Sequence, residues 1–302
     1  MKSNVLSAEP NAGDTLKTHG DAVRLTVQSF GMTDAGKVRE TNQDQFLIAT
    51  LRKTLRVRQT SLSLGKVRHS TDESHLFVVA DGMGGHAGGE QASALAVDAV
   101  EAFVLETFKW FSKCKGREQD QILSDFQSAV GQANARVLAE GHEHPDLRGM
   151  GTTLTLAYSL NDTLFVAHAG DSRCYLHRGG DLHRLTRDHT LVEDMVRRGG
   201  LSPEDASKHR LRHVVTNAVG GDSPELEVEL HKIHLEPGDA ILLCSDGLTE
   251  MMPDQEIADV LATIPDAEHA CEQLVARAND KGGKDNITAI VARYEAAEED
   301  IR

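Results

Sequence analysis

The 302-residue sequence predicts an α+β fold, with antiparallel β-sheets that carry helices on their outer faces. Three observations predict it. Strand-like apolar segments are short, and several are joined by tight turns such as LNDT (160–163) and HRGGD (177–181). Connections that short suit antiparallel neighbours, because a parallel pair needs a long crossover. Helical segments come in pairs between groups of strands, which argues against a doubly wound parallel sheet.

The first strand starts near Val23 in VRLTVQSF, and QFLIAT and HLFVVA follow. The chain then crosses the glycine-rich ADGMGGHAGGE and turns helical. Ala92, Leu95, Ala96, Ala99, Val100 and Phe103 recur at the spacing of one buried helical face. QILSDFQSAVGQANARVLAE continues as a second helix. TTLTLAYSL, TLFVAHAG, CYLHR, LEVELHKIHL and DAILLCS supply further strands, and helices in DQEIADVLATI and AEHACEQLVARAND precede a last strand, ITAIVARY. These elements define one domain over residues 23–295, between an N-terminal tail (1–22) and a charged C-terminal tail (296–302). Within it, residues 51–70 form a basic insert with six Lys or Arg and no acid, and residues 186–223 form a flap-like segment of one short helix, Pro, Gly and polar residues.

Lys plus Arg total 32 against 47 Asp plus Glu, a formal charge of −15. That field opposes nucleic-acid binding and favours cations. Cys114, Cys174, Cys244 and Cys271 are scattered, with no CxxC pair, so a disulfide framework or zinc ribbon is not expected and a reducing cytoplasm fits. No segment approaches the roughly 18 apolar residues of a membrane span, and the N-terminal tail lacks the apolar run of a signal peptide.

The carboxylates carry the functional signal. FVVA ends in Asp81-Gly82, and far downstream ILLCS ends in Asp246-Gly247; Asp44 stands before FLIAT and Asp285 before ITAIV. In antiparallel sheets strand ends meet strand beginnings, so these four acids are expected on one rim. Packed carboxylates repel and raise one another's pKa unless cations lie between them. Hard divalent ions such as Mg²⁺ or Mn²⁺ suit an all-oxygen site. Backbone without Cβ approaches a metal or phosphate closely, and the Gly82 carbonyl is itself a candidate ligand. One Asp-Gly pair marks only a turn. Its repetition at strand ends, beside DGMGGHAGGE and GGKDNIT, marks a site.

GKVRETNQDQF, ADGMGGHAGGE, GMGTTLT, HAGDSRCYL, LTRDHTLV, TNAVGG, CSDGLTEMM and GGKDNITAIVAR occur in that order between residues 31 and 293. This series resembles the protein phosphatase 2C family of metal-dependent serine/threonine phosphatases, in its bacterial form. The resemblance implies a central sandwich of two antiparallel β-sheets flanked by helices on both sides, with metals at one end. It implies Asp81 bridging two Mn²⁺ or Mg²⁺ ions, the Gly82 carbonyl binding one, Asp246 and Asp285 on the first ion, Asp44 on the second ion's side, and Arg39 on phosphate. Two ions about 4 Å apart lower the pKa of a shared water, which attacks phosphorus in line. Arg39 offers a planar fork to the phosphoryl oxygens. The expected protein is a cytoplasmic monomer acting on phosphoproteins that serine/threonine kinases produce, with no nucleic acid or membrane partner. Two alternatives stand beside it: a non-catalytic phosphoprotein-binding relative, and a partner-switching phosphatase of an anti-sigma-antagonist type protein. Retention of Asp44, Asp81, Asp246, Asp285 and Arg39 favours an enzyme.

Some positions depart from the family or stand beside its pattern. Gln43 occupies a place where the family often has glutamate, which lowers the charge at the second ion. Met83 follows the Asp-Gly pair where eukaryotic members have a histidine, so His86 is the candidate proton donor. Asp146 is a candidate ligand for a third ion, Asp171 is read as holding a turn between strands, and Asp188 and His189 match the family at the flap's edge. Cys271 and Arg277 have the Cys-x₅-Arg spacing of cysteine-dependent phosphatases, but on a helical segment. The histidines of HEH (142–144) and HKIH (231–234) lack partners at zinc spacing.

Overall fold

The computed structural model describes residues 24–52, 73–107, 117–206, 208–223 and 225–297. The N-terminal tail through residue 23, most of the basic insert and residues 298–302 lie outside them. One sheet contains β1 (Leu25–Asp34), β7 (Arg173–Arg178), β8 (Asp181–Arg184), β11 (Ala240–Cys244) and β12 (Ile287–Ala296), in the order β1-β12-β11-β7-β8. The other contains β3 (Glu73–Met83), β4 (Gly151–Thr152), β5 (Leu154–Leu160), β6 (Thr163–Ala169), β9 (Val219–Gly220) and β10 (Glu229–His234), in the order β10-β6-β5-β3-β4-β9. The remaining strand, β2 (Asp44–Arg52), pairs with β3. The pairings are antiparallel, as the short connections require.

Alternation along the strands builds the layers. Phe77 and Val79 of β3 meet Ile241 and Leu243 of β11 and Ile290 and Ala292 of β12 in a core between the two sheets. The residues between them point outward. Leu76, Val78 and Ala80 pack under α1 (Gly85–Thr107) and α2 (Arg117–Glu143), and Leu242 and Cys244 pack under α6 (Asp254–Thr263) and α7 (Ala267–Asp280). Strands buried on both faces read as continuous apolar runs, and each such side chain contributes about 1.5–3 kcal/mol by leaving water. The expected face of α1 is the buried one: Ala92, Ala96, Ala99, Val100 and Phe103 are inside and Leu95 is half-buried. The sandwich flanked by helices on both sides is thus the observed architecture.

The flap leaves the first sheet after β8. It carries α3 (Leu191–Arg197), whose N-cap Thr190 accepts from the Glu193 N–H, and α4 (Pro203–Ala206), and it returns through a Thr190–Val215 bridge to β9. One short helix, α5 (Asp246–Thr249), follows β11 directly. Two sequence details differ from the structure. The strand expected from Leu226 starts at Glu229, and β3 runs past Asp81 through Gly82 to Met83, because Gly82 and Met83 pair with β4. The two Asp-Gly pairs are therefore not equivalent: one lies in a strand and the other opens a helix.

Candidate active site

Asp44 and Asp81 face each other across the β2–β3 ladder. Like charges opposite each other in a sheet destabilise it. Asp44 is 2% exposed, and its Oδ2 accepts from the Ser245 and Thr288 hydroxyls, each at 2.7 Å, so it ties its own sheet to the other one. Its Oδ1 is buried with no hydrogen-bond partner. Burial, and then the neighbouring Asp285, raise its pKa to about 6 against the hydroxyls that lower it. Asp81 stands well above the carboxylate range because it is buried and then because Asp44, Asp246, Asp171 and Asp285 surround it. Its backbone is fixed by Thr153, whose Oγ1 accepts the Asp81 N–H at 2.9 Å and whose own N–H donates to the Asp81 carbonyl at 2.9 Å.

Close backbone approach explains the glycine of each Asp-Gly pair. A Cβ on Gly82 would lie 2.1 Å from the Gly89 carbonyl oxygen, and one on Gly247 would lie 2.0 Å from that of Asn286. Only hydrogen fits at either place. Gly247 thereby brings the start of α5 against residues 285–286, so Asp246 and Asp285 share one cavity. Asp246 is also raised well above the carboxylate range, by burial first and then by Asp171, Glu250 and Asp285. Asp285 accepts from Arg39 Nη2 at 2.6 Å and from the Asn286 N–H at 2.9 Å. Asn286 holds the β1–β2 loop that carries Arg39, since its Nδ2 donates to the carbonyls of Ala35 and Thr41 and its Oδ1 accepts from the Gln43 N–H.

A cavity of about 760 Å³ is lined by Arg39, Gln43, Asp81, Gly82, Asp171, Asp246, Glu250 and Asp285, among others. Asp44 is not itself a lining residue but is buried directly opposite Asp81 in the ladder. The structure thus brings together Arg39, Asp44, Asp81, Gly82, Asp246 and Asp285. Asp146 does not join them: it is exposed on a single 3-10 turn, Pro145–Leu147, and is not among the lining residues. The side chain of His86 lies outside the described residues, although α1, which carries it, is placed.

Asp171, read from the sequence as holding a turn, also lines the cavity, and Glu250 and His213 join it there. Asp171 is 8% exposed, and burial, then Asp188, raise its pKa to about 7. Its signal was present: HAGDSR repeats the pattern of a strand end followed by an aspartate. Glu250 stands one helical turn after Asp246, and His213 of the flap contacts it. The ligand atoms of His213, Asp246 and Glu250 lie within 4.8 Å of one another. No local pattern announces His213, because the flap delivers it from 33 residues upstream of Asp246.

Oxygen donors dominate this cavity, an orphaned Asp44 oxygen is buried beside it, and burial first and mutual repulsion second raise three of its acids. Hard divalent cations fit such a donor set and relieve the repulsion. A carboxylate rim at the end of a helix-flanked double sheet, with an arginine at its edge, defines the class as a metal-dependent phosphatase. The comparisons agree. The family model for protein phosphatase 2C matches residues 63–292. The serine/threonine phosphatase stp of Listeria welshimeri is 32% identical over 259 residues, covering 86% of this chain and 92% of that protein. The crystal structure of the Mycobacterium tuberculosis serine/threonine phosphatase PstP/Ppp superposes with a TM-score of 0.73 at 33% identity, over 89% of this chain and 99% of that one. The PstP catalytic domain in complex with two manganese ions gives 0.71 at 32% identity, over 90% and 99%. The chain belongs to the protein phosphatase 2C family and is a metal-dependent protein phosphatase.

Proposed function

We propose that this protein hydrolyses phosphoserine and phosphothreonine monoesters on cytoplasmic phosphoproteins, reversing serine/threonine kinases, and that it acts as a monomer. The observation that carries the reading is the Asp81 cavity: several recessed carboxylates converge there, with Arg39 at the edge. Asp44, Asp81, the Gly82 carbonyl, Asp246 and Asp285 would hold two Mn²⁺ or Mg²⁺ ions, and Asp171 is better placed than Asp146 to serve a third. Gln43 lines the same wall with a neutral amide, which keeps the charge on that side lower than a glutamate would. Divalent ions held there would neutralise the acids and supply an activated water as the nucleophile at neutral pH.

The chain's own residues do the rest. Arg39 orients the phosphoryl group through N–H donors set in a plane, and its grip on Asp285 fixes where that plane lies. Thr153 holds the Asp81 backbone, and Ser245 and Thr288 hold Asp44 opposite it, so the site is organised before substrate arrives. His86 would deliver the proton that the departing serine or threonine oxygen needs. Among the described residues no helix is long and apolar enough to cross a membrane, and Cys174, Cys244 and Cys271 are buried free thiols, which suits a reducing compartment.

Turnover of p-nitrophenyl phosphate and of a phosphothreonine peptide, with and without Mn²⁺, for wild type and Asp246→Asn, tests the reading. Mn²⁺-dependent turnover lost in D246N is expected. Turnover without metal, or an unimpaired variant, overturns it.

A further inference from the structure

His189 stands where the flap leaves the sandwich, and the hydrolysis derived above does not use it. Its side chain is 5% exposed. With its backbone N–H it donates to the Gly170 carbonyl at 2.7 Å, and with its Nδ1 it accepts the Gly170 N–H at 3.2 Å. One residue therefore holds both polar backbone groups of a single glycine. The same histidine holds the returning end of the flap. Its carbonyl accepts from the Thr216 N–H at 2.8 Å, and Nδ1 takes a second donor from Asn217 Nδ2 at 2.8 Å. Asn217 in turn closes on both backbone groups of Glu227.

A metal reading of this corner fails on tautomers. His168, His189 and Glu229 bring ligand atoms within 4.8 Å of one another. His189 accepts at Nδ1, however, so its proton sits on Nε2, which lies 3.5 Å from Glu229 Oε2 without a hydrogen bond. His168 Nε2 donates to the Arg187 carbonyl at 3.0 Å, and its Nδ1 accepts from the Thr155 hydroxyl at 2.8 Å. Neither imidazole has a free lone pair for a cation.

The clamp instead reaches the catalytic cavity through the turn it grips. Gly170 has φ +119°, and a Cβ there would lie 2.5 Å from Thr153 Cβ, so the glycine packs hard on Thr153. Thr153 Oγ1 bonds Ser172 Oγ at 2.7 Å and accepts the Asp81 N–H. Asp171, between Gly170 and Ser172, is thus held by His189 on one flank and by the Asp81–Thr153 pair on the other. We propose that His189 is a positioning residue: by gripping Gly170 while holding the base of the flap, it sets the Asp171 carboxylate in the cavity and couples it to the flap. The proposal rests on the reading of the cavity as a phosphate-ester hydrolase site. Displacing a group there by about 1 Å can cost a hundredfold in rate.

Two amides separate this role from plain packing. In His189→Asn the side-chain oxygen takes the place of Nδ1 and keeps the acceptor for Gly170; in His189→Gln the amide moves to the place of Nε2 and the acceptor is lost. Thermal midpoint, kcat for p-nitrophenyl phosphate at saturating Mn²⁺, and calorimetric Mn²⁺ binding are measured for both. H189N is expected within about threefold of wild type, and H189Q at least about tenfold lower in kcat with weaker Mn²⁺ binding, at similar thermal midpoints. Asn217→Ala, which removes the second donor to Nδ1 together with the two Glu227 contacts, is expected to lose at least about threefold. Equal behaviour of H189N and H189Q overturns the proposal, as does, where H189Q does not fold, an N217A indistinguishable from wild type. A wild type that binds Mn²⁺ without turning over the ester overturns the hydrolase reading instead, and the Mn²⁺ calorimetry still compares the variants.

Discussion

Arg39 Nη2 donates to Asp285 Oδ2 at 2.6 Å, so the guanidinium proposed for phosphate is anchored on a carboxylate proposed for a cation. Asp285 raises the Arg39 pKa further above its ordinary value, first through that hydrogen bond and then through its charge. Arg39→Ala is expected to lower kcat/KM for p-nitrophenyl phosphate about a hundredfold, and Arg39→Lys to recover only part of it, because an ammonium has no planar fork. Steady-state kinetics check this. Full recovery by lysine would show that charge alone suffices.

Asp81 should be costly to the fold when no cation is bound. Burial and four neighbouring carboxylates raise its pKa, so ionising it at neutral pH opposes folding. In chelator, Asp81→Asn is expected to raise the thermal midpoint, while turnover is abolished. Calorimetry of both proteins in chelator reads it; a lower midpoint for D81N refutes the repulsion argument.

The pH dependence has a definite sign. Asp44 and Asp171 titrate near 6 and near 7 in the fold, above the ordinary 3.8. A raised acid pKa means the native state binds more protons than the unfolded chain, so these groups cost stability as pH rises from about 4 through 7. His168 works the other way: burial lowers it to about 4, so stability gains as pH rises from 4 to 6.5. His168 does not line the cavity, so its effect cancels when Mn²⁺-loaded and chelated samples are compared. The Mn²⁺-induced rise in thermal midpoint is expected to be larger at pH 8 than at pH 5. Equal rises at both would mean the cation does not replace protons on these acids.

Asp171→Asn should raise the Mn²⁺ concentration for half-maximal turnover at least about fivefold, whereas Asp146→Asn, on an exposed turn, should shift it less than about twofold. Mn²⁺ titrations of turnover distinguish them, and the reverse order would return the third-ion role to Asp146.

His86→Ala tests the proton donor through the leaving group. A phosphothreonine peptide must release an alkoxide, so about a hundredfold loss is expected there, within the usual range for acid–base catalysis. p-Nitrophenolate leaves without a proton, and its turnover should change less than about threefold. Equal losses on both substrates assign His86 to structure.

Much of this was legible in the chain. The short turns at 160–163 and 177–181 dictated antiparallel pairing, and β5–β6 and β7–β8 form as those turns require. Asp44 and Asp81 meet because a strand's start and its neighbour's far end coincide in an antiparallel ladder, whereas Asp246 opens α5 and Asp285 precedes β12. That Asp171 lines the cavity while Asp146 lies on an exposed turn was not legible, because a turn residue's local sequence does not say which way its backbone is held.

The sequence by itself determined the layers, since alternate apolar residues in β3, β11 and β12 leave one way to bury both faces of each sheet. It also determined which acids stand at strand ends, because a pleated strand fixes the order of its residues. Only the tertiary structure decided how the cavity closes: Gly247 against Asn286, Asp44 reaching hydroxyls of the opposite sheet, and His189 and His213 arriving from the flap. Those contacts join residues far apart in the chain, and packing across the sandwich, not local propensity, sets their geometry.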